Sequence, residues 1–174
     1  MRLARHLSAA ILFTAALPAG AQVINPPVDY TDAWWAGASE SGWGLNIVQH
    51  AGSATAPARL VAAWFTFDPR APDTTTADAT DFQPLWILLA GCGFTSNTSC
   101  TGPLFVDVGT PFSQPWVQTA HVNRQIGTAT LSWSDANTAT FTYNVNPPVG
   151  LPATDPAFGL PAFSGTKSIT RIQF

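Results

Sequence analysis

Two neighbouring stretches alternate without a break. In residues 127–133, Ala129, Leu131 and Trp133 alternate with Thr128, Thr130 and Ser132. In residues 138–145, Ala139, Phe141, Tyr143 and Val145 alternate with Thr138, Thr140, Thr142 and Asn144. A period of two places one set on each face of a strand and is incompatible with a helix. Ser134-Asp135-Ala136-Asn137 between them is a turn of residues that bond their own backbone. This pair therefore predicts a β-hairpin with an apolar face and a Thr-lined face.

Weaker versions of the pattern recur. Residues 42–50 place Trp43, Leu45 and Ile47 opposite Asn46, Val48 and His50. Residues 59–68 are apolar on both faces, which predicts a strand covered on both sides. Strands are also expected at 82–90, 104–108 and 166–174, with a weaker one at 116–122. No stretch has helical periodicity. The reading is all-β, an antiparallel meander of about seven or eight strands closing into a small up-and-down β-barrel, with a two-sheet β-sandwich as the alternative. Two Pro- and Asp-containing stretches, near 68–81 and 146–164, read as long mobile surface loops.

The first residues belong to a different category. Arg2 and Arg5 precede an apolar run over 7–17, followed by Pro18 and the small residues Ala19-Gly20-Ala21. This is the order of a secretory signal peptide, predicted as 1–21, and the run is too short to span a bilayer. The expected mature chain, 22–174, is a single β domain with no transmembrane segment, in the periplasm or outside the cell. There Cys92 and Cys100, the only cysteines, are expected to form a disulfide closing a small loop. Only 17 residues are charged and the net charge is −3. Losing Arg2 and Arg5 makes the chain more acidic still, which argues against nucleic acid as a partner.

One segment carries a resemblance. Trp34-Trp35, then Glu40-Ser41-Gly42-Trp43-Gly44, then a strand through Gln49 is similar to the opening of a β-domain family of secreted bacterial proteins. Ala63-Trp64-Phe65-Thr66-Phe67-Asp68, Pro84-Leu85-Trp86, Gly102-Pro103-Leu104 and Gly165-Thr166-Lys167 continue the likeness. The resemblance implies export and a β fold, and implies no activity. The chain departs from that pattern at both long loops, and the Cys92–Cys100 stretch looks like a local elaboration.

Chemistry-bearing residues are few. Glu40, the only glutamate, is either a ligand-gripping carboxylate at a barrel rim or a turn residue capping amides. A glycosidase needs two carboxylates facing one bond, and Glu40 with Asp107 is the pairing the strands suggest. His50 and His121 stand apart from other metal-ligand types, and Asp68, Asp73, Asp78 and Asp81 lack the spacing of a calcium loop. No metal or cofactor is expected. Lys167 and Arg171 flank Ile169 at strand spacing, so an inward Ile169 would require partners for two cations; a wet face or a register break is the expected alternative. Seven tryptophans are the most unusual feature. Most belong in a core, but one of the adjacent Trp34 and Trp35 is expected to face outward and to stack on a ligand.

The ligand-binding candidates are Trp34, Trp35, Glu40 and Trp43, with no catalytic residue. The functional expectation is a secreted, non-catalytic barrel that binds a glycan or a small apolar molecule at its mouth. A cell-envelope structural or protein-interaction module is the alternative, and a glycan hydrolase using Glu40 the weaker one.

Overall fold

In the computed structural model, the described residues are 23–70, 78 and 81–173. The expected signal peptide and most of the expected 68–81 loop lie outside them. The fold is all-β. Eight strands follow in order: β1 (Asp32–Trp35), β2 (Gly44–His50), β3 (Arg59–Phe67), β4 (Pro84–Ser96), β5 (Ser99–Val108), β6 (Val122–Trp133), β7 (Thr138–Val145) and β8 (Phe163–Arg171). Each pairs antiparallel with its sequence neighbour, and β1 pairs with β8 to close the barrel. No helix among the described residues is long and apolar enough to cross a membrane.

The clean alternation of β6 and β7 lands as the sequence predicts. Ala129, Leu131, Trp133, Ala139, Phe141 and Val145 are buried, while the Thr and Ser positions face out. Leu45, Ile47, Leu60, Ile87, Leu89, Leu104, Ile126 and Ile169 complete the interior. A buried side chain of this size contributes roughly 1.5–3 kcal/mol relative to exposure, so the filled interior supplies most of the cohesion.

Several local expectations fail, each for a physical reason. β1 was not foreseen as a strand, because four residues are too few to show alternation. β3 is not covered on both faces: Val61, Phe65 and Phe67 are exposed on the outer wall. Residues 116–121 form no strand; they hold a 3-10 turn, Gln118–Ala120, and β6 starts at Val122. Cys92 and Cys100 form the expected disulfide, and the small loop it closes is the tip of a strand hairpin. They sit buried in β4 and β5 and bond across a long hairpin that turns at residues 97–98. Ile169 does point inward, and both flanking cations have partners, so the register does not break.

The two barrel ends differ. At one end, the base, the strands are joined by residues 51–58, 97–98 and 134–137. The segment before β1 crosses beneath it. There Tyr30 is buried and stacks on Trp133 with ring centres 4.0 Å apart, and Ala58 N–H donates to Ile24 O at 3.1 Å. The opposite end, the mouth, carries residues 36–43, 68–70, 81–83, 109–121 and 146–162. The last of these is no free surface segment. Asp155, Ala157 and Leu160 are buried, and the Asp155 carboxylate accepts from Arg124 Nη2 at 2.6 Å, Arg124 Nε at 2.9 Å and Ala157 N–H at 3.0 Å.

Candidate functional site in the barrel mouth

The mouth cavity follows from the shortness of β1. That strand reaches β8 only near its far end, at Trp34↔Arg171 and Trp35↔Thr170. The upper half of β8 has no strand on that side. Residues 36–43 cross the gap instead, with a single 3-10 turn at Ala38–Glu40. Gly37 and Gly42, at φ of +91° and +112°, flank the turn in a backbone region that side chains rarely adopt.

Strand register then delivers a cation. Lys167 lies two residues from Ile169, so it projects from the inner face of β8. Its ammonium donates to Glu40 Oε2 at 2.7 Å, and the Trp43 indole N–H donates to the same oxygen at 3.3 Å. The bond from Lys167, reinforced by Trp43 and opposed by desolvation, holds the Glu40 carboxyl below its ordinary range. The bond to Glu40 raises Lys167, also against desolvation. Both groups are charged at neutral pH, and each is a little over one third exposed.

Below the pair is an aromatic wall. The Trp64 ring stands perpendicular to Phe141 at 5.0 Å and tilts against Tyr143 at 4.9 Å. Phe163 packs edge-on to Trp64 at 6.2 Å. Tyr143 fits because its partner is Gly165: a Cβ there would lie 2.6 Å from the Tyr143 hydroxyl. Phe67 closes the far side and rests on Gly42, where a Cβ would meet its ring at 2.9 Å. Glu40, Lys167, Trp43, Trp64, Tyr143, Phe163 and Phe67 line an open cavity of about 390 Å³ together with Ser41, Thr66 and Pro69. That is within the range of small-ligand sites.

Of the four ligand-binding candidates, the structure brings two together. Glu40 and Trp43 line the cavity. Trp34 is fully buried lower in the barrel, its indole N–H donating to Tyr30 O at 3.0 Å and the Arg171 guanidinium lying 5.2 Å over its ring. Trp35 is half-buried, pairs with Thr170 and does not line the cavity. The exposed tryptophans are Trp86 and Trp116.

Trp64, Tyr143, Phe163 and Lys167 were not picked out as site residues. Their signal was present in part, since Lys167 sits on the face of an inward Ile169. Glu40 and Asp107 do not converge. Asp107 is on the outer face of β5, where His121 Nε2 lies 3.2 Å from its Oδ1 and Asn123 donates at 2.8 Å. His50 is exposed at the end of β2. Asp68 is engaged by Arg70, and Asp81 accepts from Asp78 N–H at 2.9 Å. Asp73 lies outside the described residues. Among the described residues no three His, Cys, Asp or Glu side chains are grouped to hold a metal.

Comparison of this chain with known protein families, with curated proteins and with solved structures finds no match; the likeness around Glu40-Ser41-Gly42-Trp43-Gly44 rests on those residues themselves.

Proposed function

We propose that the protein is an exported, non-catalytic binding module that holds one sugar unit of a glycan in the barrel mouth. The observation that supports this is the composition of the cavity: an aromatic wall beside a charged pair. A pyranose ring has an apolar C–H face and a polar edge. The face suits Trp43 and Trp64, and the hydroxyl groups suit the Glu40 carboxylate as acceptor and the Lys167 ammonium as donor. Ser41 and Thr66 add neutral hydroxyls at the rim.

A binding role is favoured over hydrolysis because Glu40 is the single carboxylate among the described lining residues, whereas glycoside hydrolysis uses two. Its partner also holds it ionised, the wrong state for a general acid. The buried disulfide suits an oxidising compartment, in keeping with the predicted leader peptide.

Calorimetric titration of the oxidised chain with a panel of soluble oligosaccharides, and separately with fatty acids, tests this reading. Saturable binding of an oligosaccharide is expected, weakened about tenfold or more by Trp43→Ala and by Lys167→Met. Saturation by fatty acids alone would make the ligand apolar. Oligosaccharide affinity unchanged in both variants would remove the site from the mouth. Wild-type hydrolysis of any polysaccharide, lost in Glu40→Gln, would overturn the non-catalytic assignment.

A further inference from the structure

The outside of the barrel has two unlike walls. From β6 through β8 the outward positions are polar and mostly hydroxyl-bearing, including Thr128, Thr130, Thr140, Thr142, Thr166 and Ser168. Some are tied across strands, as Thr142 to Thr166 at 3.2 Å. From β2 through β4 the outer wall is largely apolar, with Asn46 and His50 as exposed polar positions on β2. Val48 is 53% exposed, Val61 41%, Phe65 39%, Trp86 69% and Leu88 36%, with Phe67 at the upper edge. Register makes these one patch, because Val48 opposes Val61 and Phe65 opposes Trp86.

Charge is confined to the two ends of this patch. Arg59 lies at the base end of β3, and Asp107 at the mouth end of β5, beside Trp86 and near Arg70, whose charge Asp68 balances. Five lysines and arginines fall among the described residues. Four have a carboxylate partner: Arg70 with Asp68, Arg124 with Asp155, Lys167 with Glu40 and Arg171 with Asp32. Arg59 alone makes no ion pair among the described residues, and Asp107 has no lysine or arginine there. β4 runs between them, so a two-fold axis through the middle of β4 carries each end of the patch onto the other.

We infer that this face is where two copies of the chain meet about a two-fold axis, Arg59 of each copy against Asp107 of the other. An isologous interface needs a surface complementary to itself. A patch apolar at the centre, with a cation at one end and a carboxylate at the other, meets that condition. Leaving out Phe67, which closes the mouth cavity, the exposed parts of these side chains amount to on the order of 500 Å². With the flanking Ala63 and Phe105 this is about three quarters of the roughly 800 Å² per partner of a stable complex. It lies toward the upper end of the roughly 300–600 Å² of the largest apolar patch on a typical monomer, a size at which such patches are often functional. The inference does not depend on what occupies the mouth.

Sedimentation equilibrium of the oxidised chain, from about 1 µM to about 1 mM, tests it. A monomer–dimer equilibrium is expected. Trp86→Ser should weaken it by about thirtyfold or more. Arg59→Glu and Asp107→Lys should each weaken it by about tenfold, and the two together should restore it. Thr140→Glu, on the hydroxyl wall, should leave it unchanged. Val48→Glu is a second probe of the patch should Trp86→Ser fail to fold by circular dichroism. A chain that stays monomeric throughout overturns the inference. So does a dimer that Thr140→Glu dissociates, or a charge-swapped double variant no tighter than its parents. Capture of a monomer on phospholipid vesicles or insoluble polysaccharide would assign the face to that partner instead.

Discussion

Lys167 shows how much a single position decides. Its inward register forces its ammonium toward the one carboxylate that residues 36–43 can offer. Glu40, with its folded pKa lowered from 4.5, adds stability that is present above that value and is lost as pH falls through the lowered pKa. Lys167, raised from 10.5, adds stability that is present below that value and is lost as pH rises through the raised one. The contact is therefore intact between roughly pH 4.5 and 10.5. Because both groups are partly exposed, Glu40→Gln should lower Tm by only about 1–2 °C near neutrality and flatten its fall in acid, read by calorimetry across pH. Glycines are less forgiving. At Gly127, φ is +155° and a Cβ would sit 1.9 Å from Asn144 O. Gly127→Ala should cost about 3 kcal/mol or more in denaturant unfolding. The 167/169/171 pattern was legible in the chain, since it needs only a period of two. The identity of the partners was not, because residues 40 and 167 meet only when the barrel closes.

Among the elements, β6 and β7 were readable because one wall of each is polar and the other apolar. β3 and β4 misled because their outer wall is apolar too, so alternation vanishes and burial on both sides is the natural inference. The β4–β5 hairpin is longer than the strands expected at 82–90 and 104–108, since β4 runs on to Ser96 and β5 begins at Ser99. Its disulfide closes a small ring, and Cys92→Ser with Cys100→Ser should destabilise the oxidised protein by about 2–3 kcal/mol in urea unfolding. The 146–162 connection reads as a loop in composition and is one in structure, but it is anchored. Asp155 is held below its ordinary range mainly by the hydrogen bonds of Arg124. Its contribution is present above the usual aspartate pKa of 3.8 and is lost as pH falls through the lowered value. Asp155→Asn should lower Tm by several degrees at neutral pH and by less in acid, where the wild type has lost the pair as well.

At the level of the whole molecule, cohesion is concentrated toward the base. There Trp34, Tyr30, Phe94 and Trp133 pack together, with the Tyr30 and Phe94 rings 6.4 Å apart. Tyr30→Ala should cost about 3–5 kcal/mol, comparable to other large-to-small core changes, in a single cooperative transition by fluorescence and circular dichroism. The all-β class and the antiparallel meander were legible in spacing, while closure into a barrel stood beside a two-sheet sandwich until β1 is seen to pair with β8. That the mouth would be open and the base plugged was not, because the plug is built by residues 24–30, whose sequence has no periodicity.

The plug has a practical corollary. Residues 24–30 pass under the barrel, and β8 ends on the same side, where Arg171 N–H donates to Asn137 O at 2.9 Å and Ile172 N–H to Ala33 O at 2.9 Å. Both ends of the folded body thus leave from one pole, and the cavity opens at the other. A tether, a fused neighbour or a surface attached at either terminus would point the cavity away from its anchor, like a cup held by its foot.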